Sequence, residues 1–121
     1  MENTKRILLV DDDRLTLRTF KNYFQEKGYI LDTAETANQA IRKMQAKDYD
    51  VGIFDVTLPD IDGIELLLKI PKKSSPMFKI IITGASSRDI GSFAAENGAD
   101  EYLLKPVSPE EVLEIIRNYV L

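Results

Sequence analysis

Three short stretches of this chain are apolar almost without interruption: Ile7–Val10, Val51–Phe54 and Phe78–Ile82. A strand with one face in water alternates apolar and polar residues, because successive side chains point to opposite faces. A strand that does not alternate is covered on both faces. Runs this short suit strands better than buried helices. So the chain is constrained to a sheet with a layer packed against each side.

The segments between the runs supply those layers. In Arg14–Lys27, Leu17, Phe20 and Phe24 recur at helical spacing, and Gly28 is a stop signal. Tyr29–Ala34 is mixed and β-rich, as suits an edge strand. Thr36 and Gln39 form a candidate capping box for a helix reaching about Ala46, with Ala37, Ala40, Ile41 and Met44 facing in. Gly63–Ile70 reads as a short helix ended by Pro71. Ser87–Asn97 reads as another, with Ile90, Phe93 and Ala94 on one face and Gly98 at its end. Tyr102–Leu104 is a short last strand. Ser108, Pro109 and Glu111 open the final helix, with Val112, Ile115, Ile116, Tyr119 and Val120 as its inward stripe. Five strands alternating with five helices imply an α/β, doubly wound, five-stranded parallel sheet, with helices on both faces. The mixed second strand and the short fifth suit the edges, which gives the flavodoxin-like order 2-1-3-4-5. No linker, repeat or composition break divides the chain, so residues 1–121 read as one domain.

Composition narrows the chemistry. The chain has no histidine and no cysteine, which leaves carboxylates, hydroxyls and lysines. A net charge of -4 opposes direct nucleic-acid binding through bulk charge. No apolar run approaches a membrane span, and the first residues carry no apolar signal region. A soluble, cytoplasmic protein is the expectation.

In a doubly wound sheet the carboxyl ends of the strands share one rim, where ligands bind. The residues just past the runs are Asp11-Asp12-Asp13, Asp55, Thr83 and Lys105. With strands 1 and 3 adjacent, Asp11 and Asp12 come near Asp55. A dinucleotide fold would carry glycines in the first turn; three aspartates there call for a cation instead. An all-oxygen donor set selects a hard one, Mg²⁺ or Mn²⁺. Asp13 is better placed to cap the helix that follows. Asp55 has two roles open to it, metal ligand or nucleophile towards a phosphoryl donor. In the second role the cation, Lys105 and the Thr83 hydroxyl would neutralise the transferred charge.

These pieces, in order and at these spacings, resemble the receiver domain of two-component response regulators of the chemotaxis-regulator kind. The matching segments are Ile7-Leu8-Leu9-Val10-Asp11-Asp12, Asp55 with Leu58-Pro59 and Asp62-Gly63, Thr83-Gly84, Gly98-Ala99-Asp100 with Tyr102, and Lys105-Pro106. The resemblance implies that Asp55 accepts a phosphoryl group from a sensor histidine kinase or phosphotransfer protein. It implies Mg²⁺ held by Asp11, Asp12, Asp55 and the backbone carbonyl of Thr57. Thr83 would contact the phosphoryl group, Lys105 would be the active-site lysine, and the bond before Pro106 would be cis. Tyr102 would turn with Thr83. The face built from the Ser87–Asn97 helix, the last strand and the last helix would then change for an output domain, a downstream protein or a second copy. Such a domain catalyses only its own phosphorylation and dephosphorylation. Ala85 offers no polar group to orient water, which implies slow self-dephosphorylation. Val107, where the family often has Phe, keeps an apolar contact.

Three other readings compete. A haloacid-dehalogenase-like phosphohydrolase needs a second aspartate two residues past the nucleophile, where this chain has Thr57. A flavodoxin-like module for a phosphate-bearing cofactor is opposed by the acidic first turn. A pseudo-receiver that only mediates contacts is opposed by the intact set of five positions.

Overall fold

The computed structural model describes residues 4–72, 76–84 and 88–120. Five strands, β1 (Arg6–Val10), β2 (Ile30–Ala34), β3 (Val51–Asp55), β4 (Phe78–Thr83) and β5 (Glu101–Leu104), alternate with five helices. The helices are α1 (Arg14–Glu26), α2 (Ala37–Ala46), α3 (Gly63–Leu68), α4 (Arg88–Glu96) and α5 (Pro109–Tyr119). All four pairings are parallel and the order is β2-β1-β3-β4-β5, as the apolar runs predict.

The sheet splits the core in two. On one face Ile7, Leu9, Ile53, Ile80 and Ile82 pack with Leu17, Phe20 and Phe24 of α1 and Val112, Leu113 and Ile116 of α5. On the other, Leu8, Val10, Phe54 and Ile81 pack with Ala37, Ala40 and Met44 of α2, Leu66 and Leu67 of α3, and Ala94 of α4. The continuous apolar runs are therefore alternating strands with two dry faces. Near the middle of β3, Phe54 folds its ring back over Gly52. A Cβ at position 52 would lie 2.5 Å from the ring carbon Cζ, so that strand position has room only for hydrogen.

Helix ends follow local chemistry, with some departures from the sequence reading. Gly28 (φ 90°) and Gly98 (φ 101°) lie in the left-handed region just past α1 and α4. Ser108 and Glu111 form the reciprocal box at α5. At α2 the box is one-sided. Thr36 Oγ1 accepts from the Gln39 N–H at 3.1 Å, but Gln39 Oε1 turns outward to accept from the Glu35 N–H at 2.8 Å. The third helix stops at Leu68, capped by Lys69, before reaching Ile70. Two apolar residues assigned inward are not. Tyr119 is 65% exposed and stacks on Phe78, while Leu113 takes its place in the α5 core. Phe93 is 47% exposed beside the buried Ala94. Both lie at the margin of their helix's apolar arc, where one step of 100° separates core from solvent. Ala85 and Ser87 lie outside the described residues, as does the side chain of Ile90.

On the edge strand β2, Asp32 is held in a polar cluster. Tyr49 Oη donates to its Oδ2 at 2.7 Å, and Lys47 Nζ and Arg6 Nη1 approach it to 3.6 and 3.9 Å. Burial opposes the charge, but the Tyr49 hydrogen bond and the two cations hold its carboxyl below the usual range. Among the described residues no helix is long and apolar enough to cross a membrane.

Candidate functional site

Register builds the site. Val10 pairs with Phe54, and Asp55 pairs with Ile82. The residues just past β1, at the end of β3 and at the end of β4 therefore meet at one rim. Asp55 and Asp11 are 3% and 4% exposed, and Thr83 is 1% exposed. These are the buried polar residues among those described, and all three lie here.

The loop backbones fix the carboxylates. The Asp13 N–H donates to Asp11 Oδ1 at 2.9 Å, and the Thr57 N–H donates to Asp55 Oδ1 at 3.0 Å. The Asp11 N–H donates to the Ala34 carbonyl at 3.0 Å, and that of Val56 to the Ile82 carbonyl at 2.9 Å. From the far side, the Lys105 N–H donates to the Thr83 carbonyl at 2.8 Å. That bond carries the Lys105 ammonium to 2.8 Å from Asp55 Oδ2 and 3.8 Å from Asp11 Oδ2. The Lys105–Pro106 peptide is cis. Asp12 is exposed and completes a group of three carboxylates whose facing oxygens lie within 4.8 Å of one another. Asp13 leaves the group to cap α1, accepting from the Leu15 N–H at 3.1 Å and from Thr16 Oγ1 at 2.7 Å.

The electrostatics are those of an incomplete neutralisation. Burial pushes the Asp11 carboxyl up to about 6. The Asp13 N–H and the Lys105 charge work against that rise, while Asp55 and Asp12 add to it. Lys105 is drawn the other way. Burial disfavours its charge, but the hydrogen bond to Asp55 and the charges of Asp11, Asp55 and Asp12 raise it above the ordinary lysine value. One ammonium faces three carboxylates. A divalent cation fits the donor set by charge and by hardness. The three carboxylates present oxygens within 4.8 Å of one another, close enough to be shared by one such ion.

The remaining candidates lie around this centre. Tyr102 pairs with Ile81, one strand position before Ile82, and its half-buried ring lies beside Gly91 of α4, where an added Cβ would come within 3.6 Å of it. An open cleft of about 440 Å³ borders Asp11 and Lys105, walled by Thr16 and Phe20 of α1 and by Pro106 and Val107. One rim residue was missed in the sequence. Asp60, in the turn after β3, accepts from the Ala37 and Asn38 N–H groups at the start of α2, each at 2.9 Å. Its only advance signal was an acidic residue in a turn on the rim.

Fold and rim together define a class: a doubly wound parallel domain whose strand-end carboxylates are gathered around one lysine. Within that class, the chain belongs to the response regulator receiver domain family, whose model matches residues 7–117. Among curated relatives, the alginate biosynthesis transcriptional regulatory protein AlgB of Pseudomonas syringae pv. tomato is 37% identical, over 92% of this chain and 25% of that protein. The transcriptional regulatory protein ResD of Bacillus subtilis is 35% identical, over 92% of this chain and 46% of that one. The chain thus spans a quarter to a half of the length of these relatives. In structure it is similar to a CheY-like receiver domain protein from Methanospirillum hungatei, with a TM-score of 0.90 and 39% identity, covering 96% of this chain and 93% of that one.

Proposed function

We propose that residues 1–121 form one receiver unit in which Asp55 accepts a phosphoryl group from a histidine kinase or phosphotransfer protein. The observation that carries this is the buried Asp55 carboxylate, 2.8 Å from the Lys105 ammonium and grouped with Asp11 and Asp12. Asp11, Asp12, Asp55 and the Thr57 backbone carbonyl would hold Mg²⁺ or Mn²⁺. When bound, that cation supplies the positive charge that phosphoryl oxygens and carboxylates both need in order to approach.

The chain's own residues do the rest. An oxygen of Asp55 attacks phosphorus in line with the donor nitrogen. The new P–O bond forms as the P–N bond breaks, and the departing imidazole keeps its electron pair and takes up a proton. Lys105 shifts its hydrogen bond from the carboxylate to the incoming phosphoryl oxygens, and the Thr83 hydroxyl donates to another of them. Neither step needs a general base, in keeping with a chain that has no histidine. Drawing Thr83 towards the acyl phosphate gives Tyr102, on the neighbouring strand, room to turn inward, so that phosphorylation shifts a population between two arrangements of α4, β5 and α5. That face would be read by an output domain, a downstream protein or a second copy. Phe93 and Leu104 are exposed apolar residues on it. The relatives' names as transcriptional regulators favour an output of that type. The domain would act in the cytoplasm and turn over only its own phosphoryl group.

The test is incubation with Mg²⁺ and a small acyl phosphate, read by intact mass. Wild type should gain one phosphoryl group, and Asp55→Ala should gain none. An adduct that persists in Asp55→Ala would refute the assignment, and turnover of an added phosphate ester would favour a hydrolase.

A further inference from the structure

Asp60 is fastened in a way that the chemistry of phosphoryl transfer does not use. Its Oδ1 accepts from the Ala37 N–H and its Oδ2 from the Asn38 N–H, both at 2.9 Å, and Oδ1 also takes the Ile61 N–H at 3.1 Å. Ala37 and Asn38 open α2, where N–H groups lack intrahelical acceptors and the helix dipole favours an anion. Thr36 already caps the same end through the Gln39 N–H. The carboxylate of a different loop thus covers the two N–H groups that the helix's own cap leaves open. Using both oxygens on two adjacent N–H groups fixes orientation as well as distance. Those backbone donors outweigh burial and hold the Asp60 carboxyl below the usual range.

The fastening bears on the cation site because of what lies between. The loop after β3 is pinned at its root by the Val56 and Thr57 N–H groups, which bond the Ile82 carbonyl and Asp55 Oδ1. Its far end is pinned by Asp60. The other anchor, the start of α2, is itself tied to the first turn. The Ala34 carbonyl accepts from Asp11, and Arg14 Nε donates to Glu35 at 3.2 Å. The loops after β1, β2 and β3 form one laced rim.

We propose that Asp60 is a positioning residue for the divalent cation: by clamping the loop after β3 onto the start of α2, it holds the Thr57 backbone ready to complete the ligand set. The inference rests on the reading of Asp11, Asp12 and Asp55 as the cation site. A cap that served α2 alone would stabilise the helix and leave cation affinity unchanged.

Thr36→Ala separates the two roles, since it removes a cap bond from the same helix end without touching the loop. Mg²⁺ affinity is measured by calorimetric titration on the full chain for wild type, Asp60→Ala, Asp60→Asn and Thr36→Ala, together with amide exchange over Val56–Ile61. Asp60→Ala should weaken Mg²⁺ binding by about tenfold, the low end for loss of a residue that orients a metal ligand, and speed exchange in the loop. Asp60→Asn, which keeps one acceptor oxygen, should fall between. Thr36→Ala should stay within about twofold of wild type. Equal weakening by Thr36→Ala, or unchanged binding in Asp60→Ala, overturns the clamp and leaves the cation site standing. A wild-type chain that binds no Mg²⁺ overturns both.

Discussion

Replacing Asp11 by Asn should make the metal-free domain more stable, although it removes a partner of Lys105. In the folded chain the carboxyl titrates at about 6 rather than 3.8, because it is buried and faces Asp55 and Asp12. At neutral pH the fold therefore holds an ionised group that the unfolded chain holds more easily. Taken whole, that displacement corresponds to about 3 kcal/mol. Asp11 borders an open cleft, and solvent screening there brings the working figure to about 1–2 kcal/mol. Asn keeps the oxygen that accepts from the Asp13 N–H, so the backbone bond survives. The sign with pH follows from the direction of the shift. The penalty is full above the folded value of about 6, shrinks as pH falls, and is absent below 3.8. The assay is thermal or urea unfolding of both proteins in chelator at several pH values. Asp11→Asn should melt about 3–10 °C above wild type near neutrality, converge with it in acid, and lose its lead when millimolar Mg²⁺ binds wild type. A variant less stable than wild type in chelator at neutral pH would refute the view that these carboxylates are crowded beyond what Lys105 neutralises.

Two further outcomes follow from the packing and the charges. Gly52→Ala should cost about 1–3 kcal/mol in urea unfolding, because the added Cβ meets the Phe54 ring inside a core with no slack. Lys105→Met should destabilise the metal-free protein by about 1–3 kcal/mol, towards the lower end because the ammonium is partly solvated, and by clearly less in an Asp11→Asn background. An additive double variant would show that Lys105 and Asp11 do not sense one another.

The sheet order and the gathering of carboxylates were legible because each rests on a repeated signal. Three doubly covered runs demand a parallel sheet, and in such a sheet residues ending adjacent strands must meet. What escaped were features decided by a few degrees or by a distant partner. Phe93 and Tyr119 sit at the margin of a helical stripe, where spacing alone cannot choose the side. Gln39 has the right residue type for a box, yet its amide oxygen found Glu35 instead. Asp60 could not be paired in advance with Ala37 and Asn38, since only tertiary structure brings the turn after β3 to the start of α2.

Asp32 has a consequence for life at high concentration. An outer strand of a parallel sheet is an open template, and a second molecule can add to it by backbone pairing. On β2 that template carries a carboxylate at its centre, pinned by a tyrosine, a lysine and an arginine. A strand laid alongside would have to strip water from this cluster, with the partly exposed Ile30 as the apolar surface offered in return. The centre of the β2 edge is thus guarded by charge against uncontrolled strand addition.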